Sequence, residues 1–125
     1  MLKLSHNYIS DLIRTAIKSD IRISKHAAII IDPKRPKWCR VISVSYNSRY
    51  NLDNTTRSKL TEKKHYTIHA EVNAINKNKK VIRSNKGLVL CVVKVNSNGE
   101  LSYSEPCENC KKMCEKYNIK TIYYS

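Results

Sequence analysis

His69, Glu71, Cys107 and Cys110 are the residues of this chain whose types and spacing could do chemistry. One imidazole and two cysteines can close three corners of a zinc tetrahedron and leave the fourth for water. Two thiolates and a neutral imidazole offset the double charge of the ion, so the ionisation of that water becomes the tuned quantity. Glu71, two residues from His69, is the nearby group able to take a proton from the water and return it to a substrate nitrogen. It reads as a shuttle, because a fourth protein ligand would close the site.

The same spacing says what must position these groups. Cys107 and Cys110 are three apart, which on a helix sets both sulfurs on one face, and Pro106 suits the start of that helix. His69 and Glu71 are two apart and would diverge on a full helical turn, so they belong at a helix start. Two helix N-termini then aim at the metal, lowering thiol pKa and favouring an anion there. Cys114 sits one turn beyond Cys110, about 6 Å further along the axis, and reads as a core thiol rather than a ligand.

His69-Ala70-Glu71 with Pro106-Cys107-Glu108-Asn109-Cys110 resembles the cytidine and deoxycytidylate deaminases, whose pattern His-Ala-Glu…Pro-Cys-x-x-Cys is intact here. The resemblance covers most of the chain: 25–31 is similar to the family's first strand, 43–48 to its second, 119–124 to the strand after the cysteine helix. Residues 69–75 are most similar to the deoxycytidylate branch. The resemblance implies hydrolytic deamination of a cytosine nucleotide or nucleoside, deoxycytidylate first. It gives the metal site to His69, Cys107 and Cys110 with Zn2+, proton transfer to Glu71, the base carbonyl to the Ala70 N–H and the sugar to Asn47. The family's Gly-x-Asn-Gly around that asparagine is replaced by Ser45 and Ser48. In the deoxycytidylate branch the connection after it rims the pocket, which would place a phosphate near Arg49, Arg57, Lys59, Lys63, Lys64 or His65.

Size and composition bound the rest. The 125 residues fit one domain, 1–125, and a hydrophobic share of 41% supports an ordinary core. Neither a leader nor a membrane-length apolar run is evident, and the odd count of five cysteines is no disulfide framework, so the expectation is a soluble, cytoplasmic protein. The net charge of +14 could draw nucleic acid or nucleotide phosphates, although a chain rich in Lys, Asn, Ile and Tyr carries many lysines through composition alone.

Along the chain, Leu4, Tyr8, Ile9, Leu12, Ile13, Ala16 and Ile17 form the stripe of an amphipathic helix. Ala27 to Asp32 reads as a strand ending in a turn at Pro33 and Pro36, with Trp38 to Tyr46 as its hairpin partner. Lys34, Arg35 and Lys37 at that turn read as a solvated loop. A helix is expected from His69 to about Asn78, ending in the basic tract 77–80, followed by a central strand over 88–95 covered on both faces. Tyr103 and Ser104 precede the cysteines, on the pocket wall by resemblance, and 121–124 is the last strand. The fold class is therefore α/β: a three-layer α/β/α domain on a mixed sheet, with an antiparallel hairpin first and parallel later strands. Relatives continue past the last strand; with a short C-terminus, four strands and an open edge would favour a homo-oligomer. Two other readings use the same residues: a cytosine or adenine deaminase acting on RNA or single-stranded DNA, and a non-catalytic zinc protein that binds nucleic acid. The first is weakened by the absence of Phe and a single Trp, the second by Glu71 and a three-ligand set.

Overall fold

The structure is a computed structural model describing residues 6–19, 25–49 and 67–125. Helix α1 (His6–Ile17) leads into strand β1 (Lys25–Ile31), a 3-10 turn (Lys37–Cys39) and strand β2 (Val41–Tyr46). The two-residue strands β3 (Ser48–Arg49) and β4 (Thr67–Ile68) precede helices α2 (Ala70–Lys77) and α3 (Lys79–Arg83). Strands β5 (Val89–Val95) and β6 (Leu101–Ser102), helix α4 (Glu108–Lys116) and strand β7 (Thr121–Tyr124) complete the order.

Alternation along the two long strands creates the layers, because successive side chains leave opposite faces of a sheet. On β1, Ala27, Ile29 and Ile31 join Cys91, Val93 and Val95 of β5 in one core, which Leu12 and Ala16 of α1 cover. Ala28 and Ile30 join Leu90 and Val92 in the other, under Ala70, Ala74 and Ile75 of α2, Ile82 of α3 and Cys114 of α4. The three-layer expectation matches, including a β5 sealed on both faces. The sheet runs β2-β1-β5, antiparallel throughout, while the far edge of β5 is shared. β7 pairs with it in parallel over Val89–Val92, and β6 pairs antiparallel at Lys94 and Val95.

Ser125 occupies the changeover between these two partners. Its N–H donates to the Val92 carbonyl at 3.1 Å and its Oγ accepts from the Lys94 N–H at 3.2 Å. Buried Ser104 closes the arrangement from the β6 side: its N–H reaches the Ser125 carbonyl at 2.8 Å and its hydroxyl donates to Val92 O at 3.0 Å. The loop running on to Cys107 thus starts from a fixed point.

Three sequence expectations change. β2 begins at Val41, not Trp38, because Pro36 opens the 3-10 turn; the Cys39 N–H bonds the Pro36 carbonyl, and Trp38 is left 87% exposed. The lysine-rich tract after α2 is not a helix end running into loop. Asn78 breaks the helix at φ −140°, its amide donating to Ile42 O at 2.7 Å, and α3 resumes to bury Ile82. Finally, β6 and the β3–β4 pair add strands where none was expected.

α4 ends on a Schellman turn. Asn118 takes φ 61°, the Ile119 N–H reaches back to Cys114 O at 2.9 Å, and the Asn118 N–H to Glu115 O at 3.0 Å. Cys114 and Ile119 are both core residues, so the apolar contact that accompanies this motif is present. The turn reverses the chain directly into β7.

Candidate active site

Two helix starts meet at one end of the sheet. His69 is the extended N-cap of α2 and Cys107 the extended N-cap of α4, so both leave their helices at the end where unpaired N–H groups point outward. Cys110 is the third residue of α4 and is buried. His69 Nδ1 stands 3.2 Å from Cys110 Sγ and 3.7 Å from Cys107 Sγ. Nitrogen and sulfur at about 2.0 and 2.3 Å from a tetrahedral zinc would be about 3.5 Å apart. The three donors are therefore already spaced for that ion, with all ligand atoms within 4.8 Å of one another. Cys114, the residue that could be mistaken for a fourth ligand, lies in the core among Ala74, Leu90 and Ile119.

Glu71 is 4% exposed in the first turn of α2, where a carboxylate is favoured by the helix dipole. Its carboxylate lies against Cys110. Burial pushes the Cys110 thiol well above its ordinary range, and the Glu71 charge, its hydrogen bond and the neighbouring Cys107 add to the shift. Burial likewise holds the Cys114 thiol up at about 12, with Glu71 again contributing. Two sulfurs and one imidazole nitrogen are donors that zinc takes, so the donor set fits that ion in chemistry as well as spacing.

Ala70 is fully buried and is the first residue of α2, so its N–H has no acceptor within the helix. Asn47 is brought close by backbone pairing. Asn47 directly precedes β3, whose Ser48 pairs with Ile68, the residue before His69. Asn47 also does structural work: its Oδ1 accepts the His26 N–H at 2.8 Å, and the Ser19 hydroxyl donates to its carbonyl at 2.6 Å. The basic residues Arg57, Lys59, Lys63, Lys64 and His65, proposed from the sequence for a phosphate, lie outside the described residues.

Sequence reasoning missed the groups that steady the cysteine loop. Glu105 accepts from Lys111 Nζ at 2.7 Å and from the Tyr103 hydroxyl, tying the loop before Cys107 to the residue after Cys110. Lys111 and Tyr103 hold the Glu105 carboxyl below the usual range. The exposed Tyr103 ring packs edge-on to Tyr124, centroids 5.7 Å apart. A second missed residue is Asn73, whose amide donates to Tyr46 O at 2.9 Å and fixes the first turn of α2 to the end of β2. An open groove of about 450 Å³ beside that contact is lined by Ser45, Tyr46, Ser48, Asn73, Asn76 and Lys77, without the metal-ligand group.

Residues 6–125 match the family model described as the cytidine and deoxycytidylate deaminase zinc-binding region. The chain belongs to that family. Among solved structures, the deaminase-like fold recurs in the dCMP deaminase of cyanophage S-TIM5. The apo form is 20% identical with a TM-score of 0.56, covering 97% of this chain and 84% of the phage protein. The form in complex with dCMP and dUMP is 20% identical at 0.57, covering 98% and 83%. A mutant cytidine deaminase from Mycobacterium tuberculosis is 14% identical at 0.54, covering 98% and 86%. No curated protein matches the chain by sequence. The deaminase fold and a His/Cys/Cys group able to hold a metal thus occur together in one chain.

Proposed function

We propose that the protein is a hydrolytic deaminase of a free cytosine nucleotide or nucleoside, with deoxycytidylate as the favoured substrate. The observation that carries this reading is the buried Glu71 carboxylate beside a three-donor group of His69, Cys107 and Cys110 that is set on two helix starts. His69, Cys107 and Cys110 would hold a zinc ion, which would supply the Lewis acidity that makes water nucleophilic near neutral pH. Glu71 takes a proton from the attacking water and delivers it to N3 of the cytosine as the C4–O bond forms; it then takes the proton of the new C4 hydroxyl and passes it to the amino group, so that the C4–N bond breaks, ammonia leaves and C4 keeps a carbonyl oxygen. Its burial keeps the carboxylate out of bulk water, so the proton moves between partners within the site.

Ala70 orients the base by donating to the carbonyl the N–H that has no acceptor within α2, and Asn47 holds the sugar beside its contact to His26. The preference for deoxycytidylate draws on the likeness to the phage enzyme and on the deoxycytidylate-like run 69–75. The reading also includes association of copies through an open sheet edge, β2 being paired only with β1 among the described residues.

Ammonia release from the zinc-loaded protein tests the substrate across deoxycytidylate, cytidylate, deoxycytidine, cytidine and a cytosine-containing single strand. Turnover highest on deoxycytidylate is expected. Turnover confined to the single strand would move the protein to polynucleotide editing.

A further inference from the structure

The 3-10 turn between β1 and β2 holds the single tryptophan of the chain, and Trp38 is 87% exposed, more than any other large apolar residue among those described. A bare indole discards the burial that most favours tryptophan in a fold, and among the described residues its ring makes no aromatic or cation–π contact. Around it the sequence is one-signed: neither 33–49 nor 72–99 contains an Asp or Glu. Folding brings these two stretches together. Lys34 Nζ donates to Lys86 O at 3.3 Å, and Asn78, just before Lys79 and Lys80, donates to Ile42 O, one residue into β2. Lys34, Lys37, Lys79, Lys80 and Lys86 are all exposed. Asp32, the nearest carboxylate in sequence, is buried and spent on Arg35 at 3.3 Å.

This surface is not the metal site. α2 runs against β2, its start tied to Tyr46 by Asn73 and its end tied to Ile42 by Asn78, so the tryptophan turn and the His69 group lie at opposite ends of the strand. Six residues of strand separate them by roughly 17–20 Å.

We propose that Trp38 and the surrounding lysines form a second binding surface, for single-stranded nucleic acid. A flat, unpartnered indole offers a stacking face for any base, and lysines spaced around it can track phosphates without sequence preference. An anionic membrane would ask for a wider apolar patch than one indole with partly exposed Val41 and Val81.

The test uses the zinc-loaded full chain and an oligonucleotide of about fifteen thymidines, long enough for one site and lacking cytosine. Trp38 is the sole tryptophan, so its emission reports directly on the proposed surface. Quenching is expected, with an affinity whose logarithm falls with the logarithm of salt by about 0.7 per phosphate neutralised. Lys37→Ala and Lys80→Ala should each make that slope shallower by about this amount. Trp38→Ala, read by anisotropy of a labelled strand, should weaken binding about tenfold or more. Unchanged emission at low salt, or strand binding indifferent to Trp38→Ala, overturns the proposal. So does a blue shift on phosphatidylserine vesicles with no response to the oligonucleotide.

Discussion

His69 Nδ1 and Cys110 Sγ lie 3.2 Å apart although 41 residues of chain separate them. Each sits at the start of its own helix, so the distance is set by how α2 and α4 pack under the sheet rather than by any local turn. Replacing either cysteine of the group should therefore remove metal without unravelling the fold. Cys107→Ala and Cys110→Ala are expected to lower zinc content from one per chain to a small fraction, whereas Cys114→Ala keeps the metal and loses roughly 1–2 kcal/mol of stability through its core cavity. Metal analysis after dialysis, paired with urea unfolding, separates the two behaviours.

Ser104 anchors the loop that leads to Cys107, and it does so from a buried position with its hydroxyl on Val92 O. Ser104→Ala removes that donor and an acceptor for the Ser125 N–H, 2.9 Å away. A loss of about 1–2 kcal/mol is expected, seen as a lower urea midpoint at an unchanged slope.

Asn118 is the one non-glycine residue in the left-handed region among those described. Asn118→Gly should leave stability within about 0.5 kcal/mol, while Asn118→Val forces a β-branched side chain into that conformation and should cost about 1–3 kcal/mol. Thermal melts of the two variants beside the parent protein check the sign and the gap.

Cys91 is sealed between α1 and the sheet, and burial raises its thiol from an ordinary 9.0 to about 12. Above pH 9 the unfolded thiol loses its proton while the folded one keeps it, so the unfolded state binds fewer protons and stability falls as pH rises toward 12. The contribution is fully present below pH 9. Cys91→Val keeps the volume and removes the proton, so its melting temperature should fall less steeply than that of the parent protein between about pH 9 and 11.

These effects also show what sequence alone could reveal. That His69, Cys107 and Cys110 gather at one place was legible because zinc chemistry restricts residue type and helix geometry restricts spacing, and both restrictions appear in these three residues. The long strands were legible because Ala27–Ile31 and Val89–Val93 are apolar without interruption, as burial on two faces requires. Two-residue strands leave no such period, so β3, β4 and β6 were invisible. α3 was hidden because three of its five residues, Lys79, Lys80 and Arg83, are basic, and only Ile82 reaches the core. Trp38 was misplaced because it was read as the first residue of the hairpin-partner strand, whereas Pro36 opens a 3-10 turn over Lys37–Cys39 before β2 begins. The Glu105 clamp had no spacing signature, since it joins a loop to a helix.

The most direct test of deamination at the Glu71 site is ammonia release from deoxycytidylate by the zinc-loaded protein and by Glu71→Gln, with metal content measured on both. The substitution keeps the size of the side chain and removes its ability to carry the proton. Expected is one zinc per chain in each protein and a fall in kcat of about 10²-fold or more in the variant. Equal turnover by the two proteins at equal zinc content would contradict the role given to Glu71, and no ammonia from either would contradict deamination of this substrate.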